Sequence, residues 1–262
     1  MAERTQMHAW TSEVPGVREV LHARMTTHAY PLHAHADWAL MLVDEGAVVY
    51  TLGGRAHIAD DAAATLLPPG VAHDGRAAPG AAGFAKRVAY LDASWVSRSG
   101  IGAVVDRPTR VDLLAGTRRA HRALATPGEG PAAEQALIEL SDAVASRADD
   151  TGPSFRDHGL ARRLRELLEA RLPGAVSLAE ASELLNSHPS HLSRSFVAAF
   201  GLPPHRYVTG RRVDLARQLL ISGHRPARAA AQAGFHDQAH LTRHFVKLLG
   251  TTPARFRSSL AR

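Results

Sequence analysis

Three histidines and two arginines are the residues whose types and spacing suggest chemistry. His33 and His35 are separated by one residue, so on a strand both side chains would leave the same face. His73 follows at the end of "PPGVAH". Imidazole is a capable ligand for divalent metals, and a histidine-rich site with open positions is one way to hold such an ion. Arg194 and Arg243 lie two residues beyond Leu192 and Leu241, in matching places of two similar phrases. Their guanidinium groups can grip guanine bidentately in a DNA major groove. No paired acid–base or nucleophile arrangement stands out, so no catalytic residue is assigned.

The two arginines belong to a repeat. "HLSRSFVAAFGLPPHRY" from His191 and "HLTRHFVKLLGTTPARF" from His240 agree at 8 of 17 positions, including a Gly, a Pro and a spaced Leu/Phe pair. A repeat of this size marks a repeated supersecondary unit. Upstream of the first copy, "SLAEASELL" opens with Ser177 and carries Glu180 three residues on, a capping-box pattern. "NSHP" then makes a turn, with Pro189 at the first position of a second helix that runs to about Phe200 and buries Leu192, Phe196 and Val197. Gly201 suits a left-handed cap. The second copy repeats this grammar: a short helix from Pro226, a turn at Gly234, Asp237 as N-cap, a helix burying Leu241, Phe245 and Val246, then Gly250 and Pro253. His188, which corresponds to Asp237, is a poor cap by residue type. Helix, tight turn and second helix is the helix-turn-helix plan. Between the copies, Pro204 to Leu220 predicts a helix of ~25 Å, a rod able to hold two reading heads about one DNA turn apart.

The charge follows the repeat. From Ala175 onward there are 12 Lys/Arg against 4 Asp/Glu, whereas residues 1–174 hold 19 against 21. A basic C-terminal third favours a polyanion partner. The 262 residues suffice for two domains with their own cores. "MAERTQMHAW" has no apolar run and no stretch approaches a membrane span, so a soluble, cytoplasmic chain without membrane contact is expected. Cysteine is absent, which excludes disulfides and thiolate metal sites.

The N-terminal part reads as short strands. Apolar runs at Ala39–Val43 and Ala47–Leu52 are bounded by "DEG" and "GG", which are hairpin signals, and another strand is expected over Phe84–Leu91. Such punctuation suggests an all-β sandwich or barrel. From about Val111 to Leu172 the chain reads as amphipathic helices, in "EQALIELSDAVASR" and "LARRLRELLEARL".

The segment from "SLAEASELLNSHPSHLSRSF" through "AAAQAGFHDQAHLTRHFVKLLGTTPARFR" resembles the DNA-binding domain of AraC/XylS-type bacterial transcriptional regulators, over roughly residues 160–258. The resemblance implies that outward positions near the start of each second helix read bases: Pro189, Ser190, Ser193 and Arg194 in one unit, Gln238, Ala239, Thr242 and Arg243 in the other. The chemistry agrees, because Gln pairs with adenine and Ala or a Thr methyl meets the thymine methyl. Arg206, Arg211, Arg212 and Arg255 are candidate phosphate contacts. "HAH" and "PPGVAH" resemble the two motifs of a cupin barrel. In metal-binding cupins a glutamate completes the site, but its place here falls at about Ala39. The resemblance therefore implies no metal and no cofactor, with His33, His35, Trp38 and His73 lining an effector pocket.

The expected organisation is α+β: residues 1–110 a cupin-like, all-β effector-sensing barrel, 111–172 a helical linker that helps dimerise, and 173–262 an all-α double helix-turn-helix. The expected function is a sequence-specific DNA-binding regulator controlled by a small-molecule effector. Its partners would be double-stranded promoter DNA, that effector, a second copy of the chain and, if it activates, RNA polymerase. The rival is a metal-dependent cupin oxygenase or isomerase fused to a basic domain.

Overall fold

The structure, a computed structural model, describes residues 5–26, 28–52, 55–92, 95, 109–111, 114–148 and 159–260. The described residues of its N-terminal part form ten strands: β1 Gln6–Trp10, β2 Val17–Met25, β3 Tyr30–His33, β4 Trp38–Gly46, β5 Val48–Leu52, β6 Arg55–Ala59, β7 Ala64–Leu67, β8 His73–Ala77, β9 Phe84–Leu91 and β10 Thr109–Val111. They form two antiparallel sheets, β1-β2-β9-β4-β7-β10 and β3-β8-β5-β6. Among the described residues no ladder closes the two into a barrel, so the expected barrel is a two-sheet sandwich.

The expected strand at Phe84–Leu91 is β9. The expected hairpin at "DEG" is absent: β4 pairs with β7 and β9, whereas β5 pairs with β6 and β8. The chain turns a corner there and changes sheets. Gly46 makes this corner at φ +70°, where a Cβ would come within 2.2 Å of the Gly83 carbonyl oxygen, so backbone passes where any side chain would sit. The hairpin at "GG" does form, with Leu52 opposite Arg55, although Gly53 and Gly54 lie outside the described residues.

Period-two alternation gives the large sheet two apolar faces. Leu21, Ala23, Met41, Val43, Val88 and Tyr90 point inward, towards the smaller sheet. Val20, Leu40, Leu42, Ala89 and Leu91 point outward and are covered by α1 (Leu114–Ala125) and α2 (Gly130–Ala148), which bury Ala120, Leu124, Ala133, Leu137 and Leu140 at helical spacing.

Among the described residues seven helices follow: α3 Gly159–Ala170, α4 Leu178–Leu185, α5 Pro189–Phe200, α6 Pro204–Ile221, α7 Pro226–Gln232, α8 Gln238–Leu249 and α9 Pro253–Ser258. The caps follow the residue types. Ser177 and Glu180 form a complete capping box, and Asp237 accepts from the His240 N–H at 2.6 Å. His188, a poor cap by residue type, also caps, its Nδ1 accepting from the Ser190 N–H at 3.3 Å. Gly234 is required at its turn: at φ +77° an added Cβ would lie 2.1 Å from the Pro173 carbonyl oxygen.

The first helix-turn-helix, α4–α5, shares a core with α3 through Leu164, Leu168, Leu192, Phe196, Phe200 and Tyr207. In the second, α7–α8, Phe235, Leu241, Phe245 and Phe256 join Val213, Ala216 and Leu220 of α6 in a cluster continuous with the inner core of the β-domain. The β-domain is therefore seated on the helical part. His8 Nδ1 lies 3.1 Å from the Ser259 carbonyl oxygen, and the Ala72 methyl is 3.3 Å from where a Cβ on Gly201 would sit.

Candidate functional site

The rod between the two helix-turn-helix units, α6, forms one wall of a cavity of about 60 Å³. The β-domain supplies Tyr30, His33, His35, His73, Lys86 and Tyr90, and the helical part supplies Val213, Asp214, Arg217 and Leu249. The three histidines named from the sequence come together here. Their ring centroids lie 4.5 Å (His33–His73), 4.8 Å (His35–His73) and 6.4 Å (His33–His35) apart. Trp38 does not join them. Its parity on β4 is that of Leu40 and Leu42, so it packs on the outer face beneath α1 and α2.

Each imidazole is anchored by Nδ1 to a backbone carbonyl: His33 to Pro31 at 2.8 Å, His35 to Asp37 at 2.6 Å and His73 to Val71 at 3.1 Å. A carbonyl only accepts, so Nδ1 carries the proton and Nε2 keeps its lone pair. Burial pushes His35 down to about 3 and His73 well below the ordinary imidazole value, with the charge of His33 adding to both shifts; burial lowers His33 as well. At neutral pH the trio is uncharged and presents acceptors. Among the described residues no group of three or more His, Asp or Glu side chains is placed to hold a metal ion.

The charged side chains of the cavity were not found by sequence reasoning. Arg217 Nε lies 3.0 Å from Glu19 Oε2 of β2, and both side chains are almost wholly buried. The guanidinium also stacks 4.4 Å from the Tyr90 ring centroid, donates to the Tyr90 hydroxyl at 3.4 Å, and approaches Asp214 at 3.9 Å. Burial raises Glu19 to about 7, against the pull of Arg217. Lys86 lies over the Tyr30 ring at 4.1 Å and is lowered to about 8, first by burial and then by Arg217. Both cations had a signal. Lys86 shares its parity on β9 with inward Phe84, Val88 and Tyr90, and Arg217 lies four residues beyond buried Val213 and three before Leu220.

These shifts set a pH dependence. His22, His33, His35, His73 and His121 all have lowered values, His121 to about 3 through burial beneath the sheet. Neutral in the native state, they contribute stability above the unfolded value near 6.5 that is lost as the unfolded chain takes up protons below it. Glu19 and Asp37 work in the opposite sense, since burial raises both carboxyls and that of Glu19 retains a proton between about 4.5 and 7, but with His244 also lowered these two groups face six imidazoles. The melting temperature should therefore fall as pH drops from 6.5 to 5, and less steeply in His121→Gln. A flat profile in the wild type would contradict these assignments.

The reading positions are presented at the surface. Arg194 and Arg243 are exposed at matching places, as are Ser190, Gln238 and Ala239, while Pro189, Ser193 and Thr242 are half-buried. The Thr242 hydroxyl donates to the Gln238 carbonyl at 2.8 Å, which leaves its methyl as the group on offer. Val197 and Val246, expected in the core, are 40% and 39% exposed. They follow buried Phe196 and Phe245 by one residue, so the 100° step turns them onto the flank. Of the candidate phosphate contacts, Arg206 and Arg255 are exposed. Arg211 is held by Glu169 (2.8 Å) and Asp214 (3.2 Å), and Arg212 donates to the Pro173 and Gly174 carbonyls (3.0 and 2.9 Å), so both are engaged within the protein.

A cavity-bearing β-sandwich seated on paired helix-turn-helix units defines a class, the two-domain regulators that join a ligand-binding module to a double DNA-reading module. Comparison narrows it. The model of the AraC-like ligand binding domain matches residues 15–192, and that of a helix-turn-helix domain matches residues 181–259. The chain belongs to the AraC family. Over 90 residues it is 33% identical to the probable transcriptional regulator LumQ of Photobacterium leiognathi, covering 34% of this chain and 36% of that one. Over 76 residues it is 41% identical to the uncharacterized HTH-type transcriptional regulator YbfI of Bacillus subtilis strain 168, covering 29% and 28%. The chain thus spans about a third of the length of the curated relatives it matches. The fold as a whole is similar to that of ToxT of Vibrio cholerae strain SCE256, in a crystal structure bound to an unsaturated fatty acid, with a TM-score of 0.67 at 11% identity over 99% of this chain and 96% of that one.

Proposed function

We propose that the chain is a transcriptional regulator whose reading of promoter DNA is controlled by a small molecule bound between its two domains. The observation that carries this is the shared wall: Val213, Asp214 and Arg217 line the cavity and also belong to α6, the rod joining the two reading units. A ligand in the cavity contacts the β-domain and that rod at once. It shifts the reader's posture by as much as its affinity differs between the two arrangements. The basic balance of the C-terminal third supports DNA as the polyanion. A homodimer through the α1–α2 side, contact with RNA polymerase if the chain activates, and a cytoplasmic location complete the proposal. No described helix is long and apolar enough to cross a membrane. The rival, a metal-dependent cupin enzyme, finds no support in the relatives, which carry regulators' names. At 11% identity the likeness to ToxT carries the fold alone, and its fatty acid is not transferred to this cavity.

Two tests follow. Footprinting on genomic DNA should reveal a few protected promoters, with affinity falling steeply as salt rises because Lys/Arg contacts release counterions. Uniform coating of DNA would contradict the proposal. Chelator treatment should leave DNA binding and effector response unchanged, and loss of both together with a stoichiometric metal would favour the enzyme.

A further inference from the structure

His240 and His244 stand four residues apart on α8, so their side chains leave the same face of that helix. Their Nε2 atoms lie 3.1 Å apart, and the ring centroids 4.9 Å. Buried Phe235, in the turn before α8, walls the pair. Its ring centroid is 5.3 Å from that of His240, edge-on at 89°, and 6.0 Å from that of His244. Two neutral imidazoles placed like this are satisfied in one of two ways. One Nε2 carries a proton and donates it to the other, or both keep their lone pairs and share a cation. With metal–nitrogen bonds of ~2.0–2.1 Å, nitrogens 3.1 Å apart subtend roughly 95–100° at an ion, between the octahedral and tetrahedral angles. The i, i+4 spacing is the one by which a helix offers two histidines to a single zinc ion.

The surroundings decide which ion fits. Partial burial lowers His244, and the charges of His240, Lys247 and Arg243 add to the shift, so the ring is a neutral ligand at neutral pH. The nearby carboxylate is engaged: Asp237 accepts from the His240 N–H at 2.6 Å and faces His236 Nδ1 at 3.2 Å. Magnesium and calcium need oxygen ligands, whereas imidazole suits zinc, nickel and copper. The repeat supplies an internal comparison. In the first unit Ser195 stands where His244 does, and Asn186 where Phe235 does. Both parts of the arrangement are therefore particular to the second unit.

We propose that His240 and His244 form a two-histidine site for a divalent late transition-metal ion (zinc, nickel or copper) on the second reading helix, with water completing the coordination. Steps of about 100° per residue put the pair roughly 150° from the mean direction of Gln238, Ala239, Thr242 and Arg243, so the ion stays off the reading face. It bridges the first two turns of α8 and stiffens the helix that carries Thr242 and Arg243. Operator binding stands without it, because Asp237 already caps α8. A chelator thus removes the ion and leaves the reader in place.

The test uses the full chain with zinc or nickel chloride as the probe and magnesium chloride as the control. In the wild type, zinc should slow amide hydrogen exchange in the first two turns of α8 and leave α5 unchanged, and magnesium should do neither. Calorimetric titration should show one equivalent fewer in His240→Gln and in His244→Gln at the same metal concentration. Each should weaken this site at least ~10-fold, the loss that even outer-shell changes produce at metal sites. His236→Gln should bind like the wild type, since that ring is turned to Asp237. The two ligand side chains are half-buried and His236 is exposed, so the three variants should fold. Absence of slowing at α8 in the wild type would overturn the site without reference to any variant. So would slowing that survives both ligand variants, equal slowing by magnesium, or loss of binding in His236→Gln.

Discussion

Above pH 7, where the Glu19 carboxyl is ionised, Arg217→Met should destabilise the full chain by up to about 3–5 kcal/mol, because it removes the cation beside that carboxylate in the joint between the domains. Glu19 is enclosed on β2, and Arg217 is the cation beside it. The pair is imperfectly satisfied, since neither Glu19 oxygen makes a well-directed hydrogen bond. A pair of that kind contributes little net stability compared with apolar side chains of similar volume, whereas half a pair is expensive. The double variant Glu19→Leu/Arg217→Met should therefore recover most of the loss. Denaturant unfolding of the three proteins checks this, and a single variant within about 1 kcal/mol of the wild type would show that the pair is not buried in the working protein. The same experiment bears on control, because this ion pair joins the β-domain to the rod between the readers.

Arg194→Ala and Arg243→Ala should each cost about 1–3 kcal/mol at one half-site and relax base preference there, most strongly for guanine. Both side chains are exposed, and both follow a buried leucine of the repeat by two residues, so they leave their helices in the same direction. The sensitive bases should lie about one helical turn apart. The Arg243 effect should be the firmer, since the Asp237 cap at 2.6 Å fixes the start of α8 better than the His188 bond at 3.3 Å fixes α5. Arg206 is the control. As an exposed candidate for a phosphate contact, its loss should weaken all sequences alike and reduce the salt slope by about one. Selection of sites from random DNA by each variant measures the preferences, and unchanged preferences in both arginine variants would remove them from the reading set.

The helical third was legible in the sequence because its signals are local. Ser177 with Glu180, Pro189, Gly201, Asp237 and Gly250 each fix a helix end through their own backbone chemistry, and the boundaries of α5 and α8 follow from them. Val197 and Val246 misled because a valine beside a core phenylalanine satisfies a loose apolar pattern, while the 3.6-residue turn places it on the flank. The β-domain was harder to read. Strand pairing is non-local, so the corner at Gly46 looked like a hairpin until the partners of β4 and β5 were known. His33, His35 and His73 were found as a motif. Lys86, Tyr30, Glu19 and Arg217 were missed because a charge inside a domain joint has meaning only when both sides of the joint are in place.

In the proposed regulator, α6 couples the cavity to the DNA readers. Val213 lines the cavity from that helix, so Val213→Phe inserts a ring where a ligand would lie. The most direct measurement is the operator affinity of this variant in two settings, the full chain and a fragment from about residue 156 onward, which holds every reading position but lacks the β-domain. Wild-type fragment should bind as a monomer, with no response to any effector. Filling the cavity should change operator affinity of the full chain at least several-fold and abolish its response to small molecules, and should change the fragment's affinity much less, since there Val213 touches the reader's core alone. Equal affinities of wild-type and Val213→Phe full chains, with the response to small molecules intact, would contradict the coupling.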